Sequence, residues 1–315
     1  MEIYQKIKAL FGKKHLYIYS VDDWYDLATD KFLLQLQEKE KFDTVIAEYV
    51  FLTKALENFS DRVLKIVDTH DIFTNRHKVY LKKNQVPKWY FTTQKEEAKG
   101  LNRADVIVAI QPEEAKFFRR LVKKIKTVIT VGHLVSLAPP TLNKKPEPKL
   151  LFIGSSNPIN VHGLNYFLKE IFPLARSQCP ELQLLIAGGI CDAIADQEGC
   201  TKLGAVENLE EAYSLSDLVI NPVLFGTGLK IKSIEALGYA KVLITTSAGA
   251  VGLEEGKNTA FFVADKSQEF AERILEILNN SILFNQIAEN AYNYAAKLNQ
   301  NNLKSLQQIL SKSLN

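Results

Sequence analysis

The chain repeats one pattern throughout: short runs of Val, Ile and Leu alternate with longer segments in which apolar residues recur every three or four positions. Such short runs are typical of strands buried on both faces, and their alternation with helices predicts βαβ units around parallel sheets. The runs of the first half are Leu16–Ser20, Thr44–Val50, Val63–Asp68, Asp105–Ile110 and Val128–Val131. Those of the second half are Leu150–Ile153, Leu182–Ala187, Leu218–Asn221, Val242–Thr246 and Ala260–Val263.

The alternation is interrupted once, by Ala138–Lys149, which holds four prolines and three lysines and has no periodicity. This composition predicts an extended linker. The chain is 315 residues long, which suits about two domains. We therefore predict an α/β protein with two Rossmann-like domains facing a cleft, at residues 1–142 and 143–295. A last helix, residues 296–315, is expected to return to the first domain.

Charge and cysteine content exclude several classes of protein. Lys and Arg number 39 against 36 Asp and Glu, a net charge of +3, which gives no concentrated basic face for nucleic acid. The three cysteines form no CxxC pair and no cluster with histidine, so no zinc site is predicted, and their low number suits a reducing cytoplasm. No apolar run approaches the 18 residues of a membrane span.

The first 14 residues, Met1–Lys14, contain no continuous apolar stretch of the signal-peptide kind. Their apolar residues have helical spacing and lie among lysines. We interpret them as a surface helix docked on its own domain. A basic amphipathic helix lying on a membrane is the alternative, which would give the protein a peripheral contact with the inner membrane face.

The strongest site signal is Asn221–Gly238, where a buried strand ends, a glycine turn follows and a helix begins. Gly226 and Gly228 allow backbone N–H groups to approach an anion, and the helix start adds its positive dipole end. The positive charges of Lys230 and Lys232 are unfavourable near the positive end of the helix dipole. A bound diphosphate would explain why lysines stand there. A glycine-rich loop with solvated lysines is the alternative interpretation.

This segment resembles the nucleotide-sugar motif of the group 1 glycosyltransferases, which are retaining enzymes with the two-domain GT-B fold. The resemblance extends over nearly the whole chain. Glu235 matches the motif's second glutamate, which implies that it binds the ribose and belongs to the catalytic centre. Thr227 stands where the family has its first glutamate, so the sugar hydroxyls are held differently. The resemblance assigns the diphosphate to Gly226, Thr227, Gly228, Leu229 and Lys230.

A second match to the family follows the first strand of the second domain, over Phe152–Gly163. The family commonly has an arginine and a lysine here; Ser155 and His162 replace them, so Lys230 is expected to supply the missing cation. For His162 the alternative is an ordinary surface residue near a helix start. The residues that the resemblance assigns to the ligand here are Gly154, Asn157, Asn160 and His162.

Two further matches complete the expected site. The turn Leu203–Leu209 resembles the family's base-binding turn, which implies that Val206 and Leu209 pack on the nucleotide base. In the first domain, His70 follows a strand where family members place a histidine near the donor sugar, which implies a catalytic role. A polar residue at a strand end is the alternative.

The start of the chain departs from the family pattern. Family members begin with a strand and a glycine-rich loop, whereas this chain begins with what resembles the helix after that loop. We therefore expect an incomplete and less stable first domain, with nucleotide binding kept and transfer weak or absent.

The resemblance implies a cytoplasmic glycosyltransferase of polysaccharide biosynthesis that moves a sugar from a nucleotide-diphosphate donor to an acceptor hydroxyl with retention. It implies no metal, no cofactor and no protein nucleophile, and it leaves open whether the acceptor is a glycan, a lipid or a small molecule. A nucleotide-sugar epimerase is a second hypothesis. A non-catalytic partner protein that has lost the first-domain site is a third.

Overall fold

The computed structural model describes residues 18–82, 86–87, 89–141, 143–226 and 228–311. The expected helix Met1–Lys14, the first two residues of the run Leu16–Ser20, and Thr227 lie outside the described residues. The chain divides into two compact units, residues 1–131 with 304–315, and residues 132–303. In the described part of the chain, no helix is both long and apolar enough to cross a bilayer.

The first unit has a four-stranded parallel sheet whose strands lie side by side in chain order. Its strands are β1 (Thr44–Glu48), β2 (Leu64–Asp68), β3 (Val106–Ala109) and β4 (Thr127–Thr130). Its helices are α1 (Ala28–Glu40), α2 (His77–Leu81), α3 (Gln94–Leu101) and α4 (Pro112–Leu121), with a 3₁₀ helix at Val50–Asn58. The core beneath the sheet is rich in buried aromatic rings, including those of Phe73, Tyr90 and Phe118.

The second unit has a six-stranded parallel sheet in the order β10-β9-β8-β5-β6-β7. Its strands are β5 (Lys149–Ile153), β6 (Gln183–Ala187), β7 (Cys200–Gly204), β8 (Leu218–Asn221), β9 (Val242–Thr245) and β10 (Phe262–Val263). Strand order reverses between β5 and β8, and ligands of such sheets bind beyond the carboxyl ends of the strands at that reversal.

Helices cover both faces of this sheet, and each face has its own layer of buried apolar side chains. The helices are α5 (Pro158–Tyr166), α6 (Phe172–Gln178), α7 (Leu209–Ser214), α8 (Ile231–Gly238), α9 (Ser267–Asn279) and α10 (Ser281–Leu310). A π-helical turn, Phe167–Ile171, joins α5 to α6, and 3₁₀ helices lie at Gly189–Ala193 and Glu254–Gly256. The prediction of two Rossmann-like domains with parallel sheets is confirmed.

The units divide at residues 131 and 132, eleven residues before the boundary expected from the proline-rich segment. The chain after β4 packs on the second unit, which explains the earlier division. Val135 donates its N–H to Asn299 Oδ1 at 3.0 Å and accepts from Asn299 Nδ2 at 2.8 Å. Ala138 N–H donates to the Gly238 carbonyl at 2.9 Å.

The end of α10 belongs to the first unit from Lys304 onward. There Ile309 is buried in a small cluster with Ile66, Val106 and Val108 of the sheet. The part of the chain that returns is shorter than the expected 296–315, because residues up to Leu303 pack within the second unit.

Gly249 provides a test of how tightly the second sheet is packed at its carboxyl edge. A Cβ at this position would overlap Thr245 Oγ1 and lie 2.9 Å from the Asn221 carbonyl oxygen. We expect Gly249→Ala to lower the free energy of unfolding by about 1–3 kcal/mol, the usual effect of overpacking. At Gly189 a Cβ would meet no atom within 4 Å, so Gly189→Ala serves as the control. Equal unfolding free energies for the two variants in urea titrations would contradict this packing.

Candidate functional site

The two segments singled out in the second half of the sequence lie against each other at the β5–β8 reversal. A Cβ on Gly163 of α5 would lie 2.9 Å from both the Pro222 carbonyl oxygen and Val223 Cα, so the helix packs directly on the chain after β8. A Cβ on Gly154 would lie 2.9 Å from Phe152 Cε1 and 3.0 Å from Asn160 Nδ2. A side chain would clash at either position, so both positions require glycine. Both glycines lie where ligands of this fold bind.

Lys232 is the cation that reaches this junction. Its Nζ donates to Asn160 Oδ1 at 2.6 Å and lies 4.5 Å from the centre of the Phe152 ring. Within the described part of the chain, no carboxylate lies within ion-pair distance of Nζ. Burial, and to a smaller extent the charge of Lys230, lower the pKa of Lys232 to about 7. A half-buried ammonium with no carboxylate at ion-pair distance is a group to which an anionic ligand can bind.

Lys230 lies at the glycine turn, where a Cβ on Gly226 would be 3.6 Å from its Nζ. It directly precedes α8, which begins at Ile231, and its carbonyl accepts the N–H of Ser233 at 2.8 Å. Its Nζ donates to the Gly228 carbonyl at 2.7 Å. Gly226 and Gly228 have φ values of +129° and +72°, which favour glycine, so the turn depends on both.

Asn160 and Asn157 build the loop after β5. Asn157 caps α5, since its Oδ1 accepts the N–H of Asn160 at 2.9 Å. Asn160 is buried, and its Nδ2 donates to the Ser155 carbonyl at 3.0 Å. These bonds leave the Oδ1 of Asn160 aimed at Lys232. Both asparagines therefore position the loop after β5. The contacts with a ligand that the sequence predicts would be additional to this role.

Glu235 lies one turn beyond Lys232 on α8. The hydroxyl of buried Tyr213 donates to Glu235 Oε2 at 3.5 Å and to the Lys232 carbonyl at 3.4 Å. Burial raises the pKa of Glu235, while the charges of His133 and Lys232 and the bond from Tyr213 act in the opposite direction. Tyr213 was not singled out from the sequence, because a tyrosine in a short helix carries no local signal of such a contact.

Asn221, at the end of β8, ties three elements together. Its Nδ2 donates to Ser233 Oγ at 2.8 Å, and Ser233 Oγ donates to the Gly249 carbonyl at 2.9 Å. The Asn221 Oδ1 is buried and has no hydrogen-bond partner among the described residues. These bonds fix the first turn of α8 relative to the sheet, and with it the position of Lys232.

The remaining expected ligand residues of the second unit have apolar surroundings. Val206 and Leu209 are partly buried and pack on the apolar layer that contains Tyr213. Leu229 packs on the same layer. His162 of α5 lies edge-on to the ring of Phe225, with 5.5 Å between ring centres.

His70 belongs to the first unit, two residues after β2. Its Nε2 is hydrogen-bonded to the Glu48 carboxylate and lies 3.9 Å from Asp68 Oδ2. Burial raises the pKa of Asp68, and the neighbouring imidazole opposes this. The ligand atoms of Glu48, Asp68 and His70 lie within 4.8 Å of one another, a spacing that would also allow a metal ion to bind.

Buried carboxylates hold the loop that carries His70. Glu97 accepts the N–H groups of Phe73 and Thr74 at 2.8 and 2.9 Å. Burial raises the pKa of Glu97, and likewise that of Glu114, to about 7. The sequence did not reveal these groups, because acidic residues in predicted helices usually face solvent.

The comparison with protein families agrees with this geometry. The model described as "Glycosyl transferases group 1" matches residues 147–280. The second unit therefore contains a group 1 glycosyltransferase domain, which confirms the resemblance drawn from its motifs.

Relatives and solved structures extend the likeness to most of the chain. A Klebsiella pneumoniae protein described as an uncharacterized 44.6 kDa protein in the cps region is 25% identical over 83% of this chain and 72% of its own. Anabaena Alr3699/HepE in complex with UDP has a TM-score of 0.65 and 16% identity, over 90% of this chain and 82% of that one. Sucrose-phosphate synthase from Thermosynechococcus elongatus has a TM-score of 0.69 and 15% identity, over 90% and 77%. These structures confirm the GT-B fold.

The lowered pKa of Lys232 makes folding stability depend on pH. Because its folded pKa of about 7 lies below the usual lysine value, the unfolded chain holds this proton between about pH 7 and 10 while the folded chain does not. The free energy of unfolding of the natural chain should therefore rise relative to Lys232→Met, by about 1–2 kcal/mol between pH 7 and 9.

Urea titrations of both proteins at several pH values measure this difference. Lys169→Met is the control, because the Lys169 side chain is 83% exposed and stays in water in both states. The difference in unfolding free energy between the natural chain and Lys232→Met should change with pH. If it changed no more than the difference for Lys169→Met, the lowered pKa of Lys232 would be contradicted.

Proposed function

We propose that the protein transfers a sugar from a nucleotide-diphosphate donor to an acceptor hydroxyl, with retention and without a metal ion. The observation that carries the proposal is the environment of Lys232. A half-buried lysine with a pKa of about 7 is hydrogen-bonded to an amide and lies beside two glycine-containing turns at the start of a helix. This arrangement suits a diphosphate better than any neutral ligand.

The diphosphate is proposed to bind at the turn Gly226–Gly228 and at the first turn of α8. Free N–H groups at a helix start attract phosphate, and positively directed dipoles stabilise the charge of a leaving diphosphate. The phosphate charge in turn favours the protonated form of Lys232, since opposite charges about 4 Å apart near a protein surface attract by several kcal/mol. Gly154, Asn157 and His162 line the proposed path from the β5 side.

The nucleoside is proposed to bind toward Glu235, with its ribose hydroxyls donating to the carboxylate. Among the described residues, the one hydrogen bond to this carboxylate comes from Tyr213 at 3.5 Å, which leaves acceptor positions for the ribose hydroxyls. Val206 and Leu209 are assigned to the base. The Anabaena structure contains UDP, which makes UDP-sugars the first donors to test.

His70 is assigned the catalytic role at the transferred sugar, on the basis of the family resemblance. Its hydrogen bond to the Glu48 carboxylate orients the imidazole. Retention is proposed to follow from a front-face, ion-pair-like step, so no protein nucleophile is assigned. The acceptor is proposed to be a saccharide of polysaccharide biosynthesis, in line with the Klebsiella relative's description as a protein of the cps region.

A donor screen tests the activity directly. The full chain is incubated with UDP-, GDP- and dTDP-sugars and saccharide acceptors, with and without EDTA, and products are identified by mass spectrometry and NMR. We expect an α-linked product from an α-linked donor in both conditions. Conversion of the donor into its epimer would instead favour an epimerase, and no turnover of any donor would favour a non-catalytic partner. Activity lost with EDTA would contradict metal independence and direct attention to Glu48, Asp68 and His70.

Glu235→Ala tests the nucleoside assignment. Loss of a charge-assisted hydrogen bond should weaken binding of UDP or GDP, whichever binds the natural chain more tightly, by about 1–3 kcal/mol in calorimetry. Glu269→Ala is the control, because Glu269 is an exposed glutamate in the first turn of α9. Unchanged affinity in Glu235→Ala would remove this residue from the site.

A further inference from the structure

Three aromatic residues with unusual backbone conformations meet at the carboxyl end of the first sheet. Tyr49, His70 and Trp89 have φ values of +66°, +58° and +78°. Bulky side chains rarely adopt such angles, and residues held in them cluster at functional sites. Tyr49 follows β1 and His70 follows β2, while Trp89 comes from the segment before α3.

Tyr49 contacts both His70 and Trp89, and the cluster packs on a layer of further rings. The ring of Tyr49 lies 4.3 Å from the imidazole of His70 and 5.3 Å from the indole of Trp89, measured between centres. Trp89 also lies within 6.3 Å of Trp24, 5.8 Å of Phe51 and 5.6 Å of Phe73. Despite these neighbours Trp89 is 46% exposed. The surrounding rings thus hold the Trp89 indole partly exposed to solvent. Packing for stability alone would bury this indole.

Polar groups lie beside this aromatic surface. The side chains of Glu48 and Asp68 are 57% and 37% exposed and lie next to the His70 imidazole. Carboxylate oxygens accept hydrogen bonds from hydroxyl groups, and aromatic rings attract C–H groups through their negative faces. A pyranose ring offers both partners, because it has an apolar face of C–H groups and a rim of hydroxyls.

We propose that Tyr49, His70 and Trp89 form a binding surface for a neutral pyranose ring of the acceptor. The inference rests on the proposed function, since it names the acceptor as a saccharide. The donor's sugar has the same ring but is held through its diphosphate, which is proposed to bind in the second unit, whereas Glu48 and Asp68 offer acceptors for hydroxyl groups alone. A ring seated here presents its hydroxyls to His70, the residue assigned to the reaction.

The two tryptophans of the chain, Trp24 and Trp89, both lie in this cluster, so intrinsic fluorescence reports on it. The full chain is titrated, without nucleotide, with the methyl glycosides of glucose, galactose, mannose and N-acetylglucosamine. We expect a saturable change in fluorescence with at least one of them. Trp89→Ala should weaken its binding at least tenfold, and Glu48→Gln several-fold. Phe32→Ala, which removes a 61% exposed ring from α1, should leave the affinity unchanged.

Thermal melting confirms that each variant is folded, and Trp89→Phe replaces Trp89→Ala if the latter unfolds. No saturable binding of any glycoside, or equal affinity in the natural chain and the folded Trp89 variant, would overturn the proposal. Displacement of the glycoside by UDP-glucose but not by UDP would assign the surface to the donor and also overturn it. Calorimetry with UDP and GDP separates this result from the proposed function: if neither nucleotide binds while a glycoside does, the nucleotide assignment fails and the saccharide surface stands.

Discussion

The hydrogen bond from Lys232 Nζ to Asn160 Oδ1 joins the two segments that form the candidate site of the second unit. One segment follows β5 and the other follows β8, the strands between which the sheet order reverses. The bond is short and involves an ammonium that has lost much of its water, so it holds a cation at the point where ligands of this fold bind. The close approach of backbone at Gly154 and Gly163 follows from the same junction.

The first unit carries backbone strain at the carboxyl ends of its strands. Strained aromatic residues lie there beside an imidazole paired with a carboxylate. The strain costs about 1–3 kcal/mol for each strained residue. Buried Glu97 fixes the loop after β2, since its carboxylate accepts two backbone N–H groups. The loop that presents His70 is therefore fixed by the interior of the unit.

Local apolar runs predicted nine of the ten strands of the described residues, and β8 begins and ends where its run predicts. The run Leu16–Ser20 forms no strand in its described residues, where Tyr19 makes an isolated bridge to Thr92. Strand β7 was missed because Cys-Thr-Lys-Leu-Gly is largely polar, as suits an edge strand with exposed Thr201 and Lys202. Helix α3 begins where the Thr93 side chain caps it by accepting the N–H of Glu96.

The site was predictable only in part, because its details depend on packing. The motif placed two lysines near the ligand, but it gave no reason to prefer Lys232. The start of α8 at Ile231 separates the two side chains: Lys230 Nζ donates to the Gly228 carbonyl of the glycine turn, and Lys232 Nζ donates to Asn160. Tyr49 and Trp89 are far apart in sequence from His70, so no spacing rule predicts their contact.

The central claim is that Lys232 receives a diphosphate. Its most direct test is calorimetry of UDP or GDP binding at pH 8, in two buffers with different ionisation enthalpies. Because the pKa of Lys232 is about 7, the lysine is largely neutral in the free protein at this pH, and a bound diphosphate should restore its proton. We predict uptake of close to one proton per nucleotide, lost in Lys232→Met together with most of the affinity. Tight binding without proton uptake, or equal uptake in Lys232→Met, would contradict it.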